Sequence, residues 1–113
     1  MKLKQQDNYL DRKPKRIESI RFTLDDAGMV TLLIDNKGFF NRLAQKFFKK
    51  PTVSYIHLDE LGSFIWPLLD GEKTIFNLGE AVETQFGEKA HPLYERLVKF
   101  FQILESYHFI EWA

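Results

Sequence analysis

Residues 58–74 read LDELGSFIWPLLDGEKT, and this stretch marks the beginning and the end of a helix. The carboxylate of Asp59 can accept hydrogen bonds from the free amides at a helix start, and the Asp-Gly pair at 70–71 is typical of a helix end. These signals predict a helix over about residues 60–69. Pro67 removes one amide donor from it, so we expect the last turn to be bent or wide.

Two further helices are predicted in the C-terminal half. Thr74 is expected to cap the first of them, over about residues 75–86, and Gly87 is expected to end it in a left-handed conformation. Proline is favoured at the first position of a helix, and Pro92 therefore opens the next helix, which extends to about residue 107.

The first half of the chain predicts a small antiparallel sheet. Residues 20–24 alternate apolar and polar side chains, as a half-buried strand requires, and residues 29–34 are apolar and β-branched. A turn at 26–28 joins them into a predicted hairpin. Residues 53–58 return to strand character and are expected to form the third strand. The fold class is therefore α+β, with a three-stranded antiparallel sheet followed by three helices.

Two basic segments lie outside this pattern. Residues 39–50 place Phe and Leu at helical spacing against Arg and Lys, which predicts a short extra helix between the second and third strands. This helix could cover the sheet or bind an anionic membrane surface. Residues 1–17 lack apolar periodicity and predict an extended basic arm or an edge segment before a single domain over residues 18–113. The apolar tail at 109–112 is expected to dock on that domain.

The composition excludes several classes of protein. With 44% hydrophobic residues and eleven Phe, the chain is too apolar to be disordered. The absence of Cys excludes disulfide scaffolds and thiolate metal sites, and favours a cytoplasmic location. No apolar run approaches the about 20 residues that span a bilayer, and the N-terminus lacks the apolar core of a secretory signal.

Charge is distributed unevenly although the net charge is zero. Residues 1–50 carry 12 Lys and Arg against 6 Asp and Glu, whereas residues 51–113 carry 4 against 10. Halves of opposite charge can attract each other within one fold, or they can serve a charged partner. The sequence leaves both interpretations open.

The sequence contains no recognisable catalytic motif. Glycine-rich phosphate loops, the HExxH helix of zinc proteases and the GxSxG turn of serine hydrolases are all absent. The histidines His57, His91 and His108 lie in separate predicted elements, without carboxylates at the spacing that would complete a metal site. We therefore expect no enzymatic activity, no metal and no other cofactor.

The last predicted helix is more apolar than a core-facing helix requires. Phe100, Ile103 and Tyr107 lie on a flank of it, beside the face that we expect to be buried. This surplus either packs under the sheet and the tail or forms a groove for a partner. If the strand at 53–58 is a sheet edge, a peptide could add to it as a further strand. The expected core face consists of Leu93, Leu97, Phe101, Leu104 and His108.

The region from about residue 53 to residue 112 resembles the PqqD-like family of pyrroloquinoline quinone biosynthesis and precursor-peptide recognition elements. The resemblance rests on the stretch quoted above and on the end of the last helix, FQILESYHFI at 101–110. Asp59 stands where the family usually has Asn. The positions that match the family pattern are Leu58, Gly62, Ile65, Trp66, Leu69, Asp70 and Gly71.

The resemblance implies a winged helix-turn-helix-like fold without catalysis of its own. It also implies that the leader of a ribosomally made precursor peptide binds along the third strand, against the last helix. The leader is then presented to a modifying enzyme, often a radical S-adenosylmethionine protein. The peptide-binding residues implied in this way are Val53, Ser54, Tyr55, Ile56, His57 and Leu58 in the strand, and Arg96, Lys99, Phe100, Ile103 and Tyr107 in the helix.

A DNA-binding winged-helix regulator is the alternative interpretation. Its basic footprint would have to come from residues 37–50 and the arm, because the helical region 75–90 carries three Glu against one Lys. The phosphates of DNA would repel such a helix, which argues against nucleic acid as a partner. A homodimer formed through a strand edge or by domain swapping is also compatible with such a fold.

Overall fold

The structure of the protein is a computed structural model, and it describes residues 8–35 and 53–113. The helix predicted over residues 39–50 lies outside the described residues. Two compact units are present: the described residues of Met1–Ile17 and Phe64–Ala113 form one, and those of Glu18–Ser63 form the other. The described strands and α-helices are β1 (Pro14–Arg16), β2 (Arg21–Leu24), β3 (Val30–Asp35), β4 (Val53–His57), α1 (Glu60–Ile65), α2 (Ile75–Phe86), α3 (Leu93–Ser106) and β5 (Ile110–Trp112).

The unit Glu18–Ser63 is built on an antiparallel sheet with the strand order β2-β3-β4. The hairpin between β2 and β3 is closed by Asp25, whose Oδ1 accepts hydrogen bonds from the amides of Ala27 and Met29 at 2.9 Å each. Gly28 has a φ of 84° in this turn, a conformation that a residue with a side chain rarely adopts. The predicted three-stranded antiparallel sheet, followed by helices, is confirmed. The winged-helix arrangement stays a prediction.

The part of α1 that belongs to the unit Glu18–Ser63 is hydrogen-bonded to the sheet of that unit. Asp59 Oδ1 accepts from the amide of Gly62 at 2.8 Å, as expected of a helix cap. The hydroxyl of Ser63 accepts from the amide of Val30 at 2.8 Å and donates to the carbonyl of Leu58 at 3.3 Å. Ser63 is buried, and these bonds supply the partners that a buried hydroxyl needs.

Pro67 acts differently from what the sequence predicts. The last turn of the helix is a 3₁₀ turn, Trp66–Leu68, in which the amide of Leu69 donates to the carbonyl of Trp66 at 3.2 Å. Of the two expectations for this turn, a bend or a widening, the widening is wrong, because 3₁₀ hydrogen bonds span three residues and draw the turn tighter than an α-helix, while the bend stays a prediction. Proline is compatible with this turn since it lacks only the amide donor.

The bounds of α2 and α3 agree closely with the sequence. Thr74 Oγ1 accepts from the amide of Asn77, and Asn77 Oδ1 accepts from the amide of Thr74, both at 3.0 Å, so that a capping box opens α2. Gly87 ends α2 with a φ of 58° and a ψ of −135°, so φ is positive as expected, but ψ lies outside the left-handed helical region that the sequence predicts. Pro92 is the residue before α3 rather than its first residue, and α3 therefore begins one residue later than predicted.

The strands β1 and β5 pair with each other in the unit that contains α2 and α3. β1 pairs antiparallel with β5, with Pro14 opposite Trp112 and Arg16 opposite Ile110. The apolar tail is expected to dock on the domain, and it does so by forming β5 and pairing with β1. Pro14 is fully buried, although residues 1–17 lack apolar periodicity. The boundary predicted between an arm and a domain after residue 17 stays a prediction.

The core of this unit is made by the helices and the tail. The guanidinium of Arg16 donates to the carbonyl of Pro67 at 2.9 Å, so that β1 also supplies a cap for the end of the 3₁₀ turn. Such charge-assisted bonds are stronger than neutral ones. The side chains with at most 1% exposure in this core are Ile65, Trp66, Leu69, Ile75, Leu78, Val82, Ala90, Leu97 and Phe101.

Candidate peptide-binding surfaces

The backbone of β4 is exposed on one side within the described part of the chain, because the sheet order ends at β4. β4 pairs with β3 in the register that places His57 opposite Thr31, and the amide of Leu58 donates to the carbonyl of Val30 at 2.9 Å. Bonded and non-bonded pairs alternate along an antiparallel ladder. The backbone groups of every second residue, Val53, Tyr55 and His57, therefore point away from β3.

The side chains of β4 alternate between the two faces of the sheet. Tyr55 is 64% exposed, and Ile56, on the opposite face, is 36% exposed. The imidazole Nδ1 of His57 is 2.9 Å from the hydroxyl of Thr31 on the neighbouring strand. Val53, Ser54 and Leu58 are half-buried. Of the six predicted strand residues, Tyr55, Ile56 and His57 are thus the exposed ones.

The buried side of α3 differs from the prediction at its end. Leu97, Phe101 and Leu104 are buried as expected, whereas His108 is exposed. The placement of His108 in the core is wrong because α3 ends at Ser106 and His108 has a φ of 63°, which reverses the chain direction. Phe109, with 8% exposure, takes the buried position instead.

The five predicted helix residues lie on one flank of α3, which we call the Ile103 flank (Arg96, Lys99, Phe100, Ile103 and Tyr107). Ile103 is 46% exposed and Tyr107 is 61% exposed. Phe100 is half-buried, and its ring contacts the ring of Phe101 edge to face at 5.2 Å. Ile103 and Tyr107 thus present apolar surface to solvent, while Phe100 belongs in part to the core.

The two basic residues of the Ile103 flank have different environments. The guanidinium of Arg96 donates to the carbonyl of Lys89 at 2.9 Å, in the 3₁₀ turn Gly87–Ala90. Arg96 therefore helps to hold the turn before α3. Lys99 is exposed on the helix surface, where it is available to a ligand.

The opposite side of α3 carries a second exposed surface that the sequence analysis missed. Tyr94 and Phe76 of α2 are 37% and 45% exposed, and their rings are parallel within 2° at a centroid distance of 6.5 Å. The available signal was the position of Phe76, which follows Ile75 and so lies off the buried stripe of α2. We call this surface the Tyr94 face (Phe76, Glu80, Glu83, Tyr94 and Glu95).

A third feature, also missed, joins the two ends of the chain. The guanidinium carbon of Arg12 lies 5.0 Å from the ring centre of Tyr9 and 5.3 Å from that of Trp112, a cation–π arrangement. Trp112 Nε1 donates to Glu105 at 3.1 Å. Burial, with a smaller contribution from the charge of Glu105, raises the pKa of Tyr9. No local pattern pairs these residues, because the β1–β5 pairing brings them together.

Residues 8–35 and 53–113 contain neither a metal-binding cluster nor a helix that could span a membrane. Across these ranges, no three His, Asp or Glu side chains come close enough together to hold a metal ion. Over the same part of the chain, no helix has the length and apolarity needed to span a bilayer. His91 lies 3.0 Å from Glu83, an ion pair when the imidazole is protonated. The expectation that the chain binds no metal stays a prediction.

Comparison with known proteins identifies the family. The protein-family model described as coenzyme PQQ synthesis protein D (PqqD) matches residues 49–110, more than half of the chain. No curated protein and no solved structure matches at a significant level. The match includes β4, the three helices and the motif residues Ile65, Trp66 and Leu69, which are all fully buried. The chain therefore belongs to the PqqD family, whose members are accessory proteins of pyrroloquinoline quinone biosynthesis.

Proposed function

We propose that this chain binds the leader of a ribosomally made precursor peptide as an added strand along β4 and presents it to a modifying enzyme. The outer edge of β4 carries the proposal, because Val53, Tyr55 and His57 turn their backbone groups away from β3. An extended peptide can add to such an edge through main-chain hydrogen bonds. Membership of a family of accessory proteins supports a binding role rather than catalysis.

The backbone edge supplies affinity with little sequence preference. Each of the three outward-facing residues offers one donor and one acceptor, and a protein hydrogen bond contributes about 0.5–1.5 kcal/mol net. Side-chain pockets must therefore provide the selectivity. Tyr55 and Ile56 are exposed on opposite faces of the sheet and could each contact alternate residues of the peptide.

The Ile103 flank of α3 is the second surface that we propose for the leader. Ile103 and Tyr107 offer exposed apolar area for Leu or Phe side chains of a peptide. Lys99 could attract an acidic leader residue, with about 0.2–1 kcal/mol for an exposed ion pair. Arg96 contributes less, since its guanidinium already donates to the carbonyl of Lys89.

The enzyme partner that we propose is a radical S-adenosylmethionine protein, acting with this chain in the cytoplasm. This step rests on the family, whose members work with partner enzymes in pyrroloquinoline quinone synthesis. The alternative of DNA binding has less support, because α2 carries Glu80 and Glu83 and no basic residue. Phosphates of a duplex would be repelled by such a helix.

The direct test is a titration of isotope-labelled protein with leader peptides from short reading frames near its gene. We expect amide shifts concentrated at residues 53–58 and 96–107. Shifts at neither segment, in a protein shown to be folded, would contradict the proposal. Salt-sensitive binding of duplex DNA by the same sample would support the alternative instead.

A pair of variants at Tyr55 separates backbone from side-chain recognition. Tyr55→Pro removes an outward amide while leaving the hydrogen bonds to β3, which belong to Ser54 and Ile56. Tyr55→Ala removes the same side chain and keeps the amide. We expect Tyr55→Pro to abolish leader binding and Tyr55→Ala to weaken it modestly, as measured by calorimetry. Equal affinities of the two variants would refute strand addition at this position.

A further inference from the structure

The Tyr94 face is an aromatic surface that the proposed peptide site does not use. The parallel rings of Phe76 and Tyr94 are held where α2 and α3 approach closely at Gly79. A Cβ atom at Gly79 would lie 3.0 Å from Cε1 of Tyr94 and 3.1 Å from Cδ1 of Leu97. Leu97 is fully buried, so the packing of the core fixes the distance between α2 and α3 at Gly79. The same packing therefore fixes the position of the exposed ring of Tyr94.

The Tyr94 face and the Ile103 flank lie on opposite sides of the buried stripe of α3. At 100° per residue, Tyr94 and Val98 project to one side of Leu97 and Phe101, while Phe100, Ile103 and Tyr107 project to the other. The apolar side chains of the two surfaces therefore do not overlap, although Lys99 borders both, because it also lines the depression beside Tyr94. The Tyr94 face can thus serve a different partner, whether or not the leader proposal holds.

The charge of the Tyr94 face is acidic. Two shallow depressions meet at Tyr94; Glu80 and Glu83 line one, and Glu95 lines the other together with Lys99. Among the described residues, Glu83 pairs with His91, whereas the carboxylates of Glu80 and Glu95 make no ion pair. With three Glu against one Lys, the two depressions carry a net negative charge, and exposed aromatic area beside such a charge is typical of an interaction surface.

We propose that the Tyr94 face docks a second protein through a cationic amphipathic helix. An apolar side chain of that helix packs on Phe76 and Tyr94, and Lys or Arg residues beside it pair with Glu80 and Glu95. Charge complementarity favours this partner over a symmetric dimer of the chain, because a two-fold interface would place the same acidic face against itself. The partner is thus defined by basic residues that flank an apolar anchor.

The test uses a designed probe peptide with Leu on one face and Lys on the other. A length of about 15 residues allows the isolated peptide to form a helix. A matched peptide with Glu in place of Lys is the control. We expect the Lys peptide to shift the amides of residues 76–84 and 93–98, and to bind about tenfold more tightly than the Glu peptide at low salt. Absence of binding, or shifts located elsewhere, would overturn the proposal.

Charge reversal shows whether the acidic residues are responsible. The variant Glu80→Lys/Glu95→Lys is expected to invert the preference, so that it binds the Glu peptide about tenfold more tightly than the Lys peptide. Glu72→Lys, which reverses the charge of an exposed residue outside the Tyr94 face, is expected to leave the original preference unchanged. An unchanged preference in the double variant would refute the proposal.

A second copy of the chain could occupy the Tyr94 face instead of a different protein. A concentration series of the protein without peptide tests this possibility. If the amides of residues 76–84 and 93–98 shift as the concentration rises, a second copy of the chain occupies the face, which would overturn the proposal. Because none of these measurements involves β4, their failure would leave the leader proposal standing.

Discussion

The two exposed sides of α3 differ in chemistry although they share one buried stripe. The Ile103 flank combines exposed aliphatic and aromatic area with the positive charge of Lys99, whereas the Tyr94 face combines aromatic rings with acidic side chains. Leu97 and Phe101, which lie between them, are fully buried. A helix needs only part of its circumference for the core, so the remainder can form two separate surfaces. Under the two proposals made above, α3 serves two partners of opposite charge.

The largest effect on the unfolding free energy is expected from a change in the buried stripe of α3, on which both exposed surfaces depend. Phe101→Ala removes a fully buried ring and leaves a cavity, which typically costs about 3–5 kcal/mol of unfolding free energy. Urea unfolding followed by circular dichroism would measure this loss. A loss below about 1 kcal/mol would show that Phe101 is not part of a tightly packed core.

A smaller change in stability, with a large change in binding, is expected on the Ile103 flank. Ile103→Asp places a charge on a side chain that is 46% exposed, so the unfolding free energy should change by about 0.5 kcal/mol or less. Leader affinity should fall about tenfold or more, because the charge would have to be desolvated by the peptide. Calorimetric titration measures this loss.

Gln102→Asp is the matched control for this prediction. It adds the same charge to the neighbouring exposed residue, which lines the depression beside Tyr94 rather than the Ile103 flank. Leader affinity should be unchanged in this variant. Unfolding of the Ile103→Asp protein would place Ile103 in the core and remove the contrast between the two sides of α3.

The smallest effect is expected away from α3, in the turn before α2. A hydrogen bond from Lys73, at 2.8 Å, and one from the amide of Glu72 lower the pKa of Asp70 to about 2. The unfolded carboxyl has a pKa of about 3.9, so this stabilisation is complete above about pH 4 and is lost as the pH falls towards 2. The stability difference between wild type and Asp70→Asn should therefore shrink over that range. A difference that is constant from pH 6 to pH 2 would contradict this assignment.

The helices and the hairpin were predictable because their signals are local. Thr74 and Asn77 form the capping box of α2 within four residues of sequence, and Gly87 ends the helix through its own backbone freedom. Asp25 closes the β2–β3 turn in the same local way. The surplus of apolar side chains on one flank of α3 also followed from periodicity, although their exposure did not.

The missed features depend on contacts between residues that are far apart in the chain. β1 gave no apolar pattern, yet Pro14 is buried because β1 pairs with β5 about one hundred positions later. His108 was placed on a helix face by counting, whereas its positive φ turns Phe109 inward instead. Periodicity cannot detect a change of chain direction, because it assumes that the helix continues.

The sequence by itself determined the α+β class, the bounds of α2 and α3 and the family, because caps, periodicity and a spaced motif are carried by neighbouring residues. Only the tertiary structure decided that Ile103 and Tyr107 are exposed while Phe100 is half-buried, and that Phe76 and Tyr94 form one surface. Exposure depends on what packs against a residue from elsewhere in the chain. The hydrophobicity of a side chain therefore does not distinguish a core residue from a residue of a binding surface.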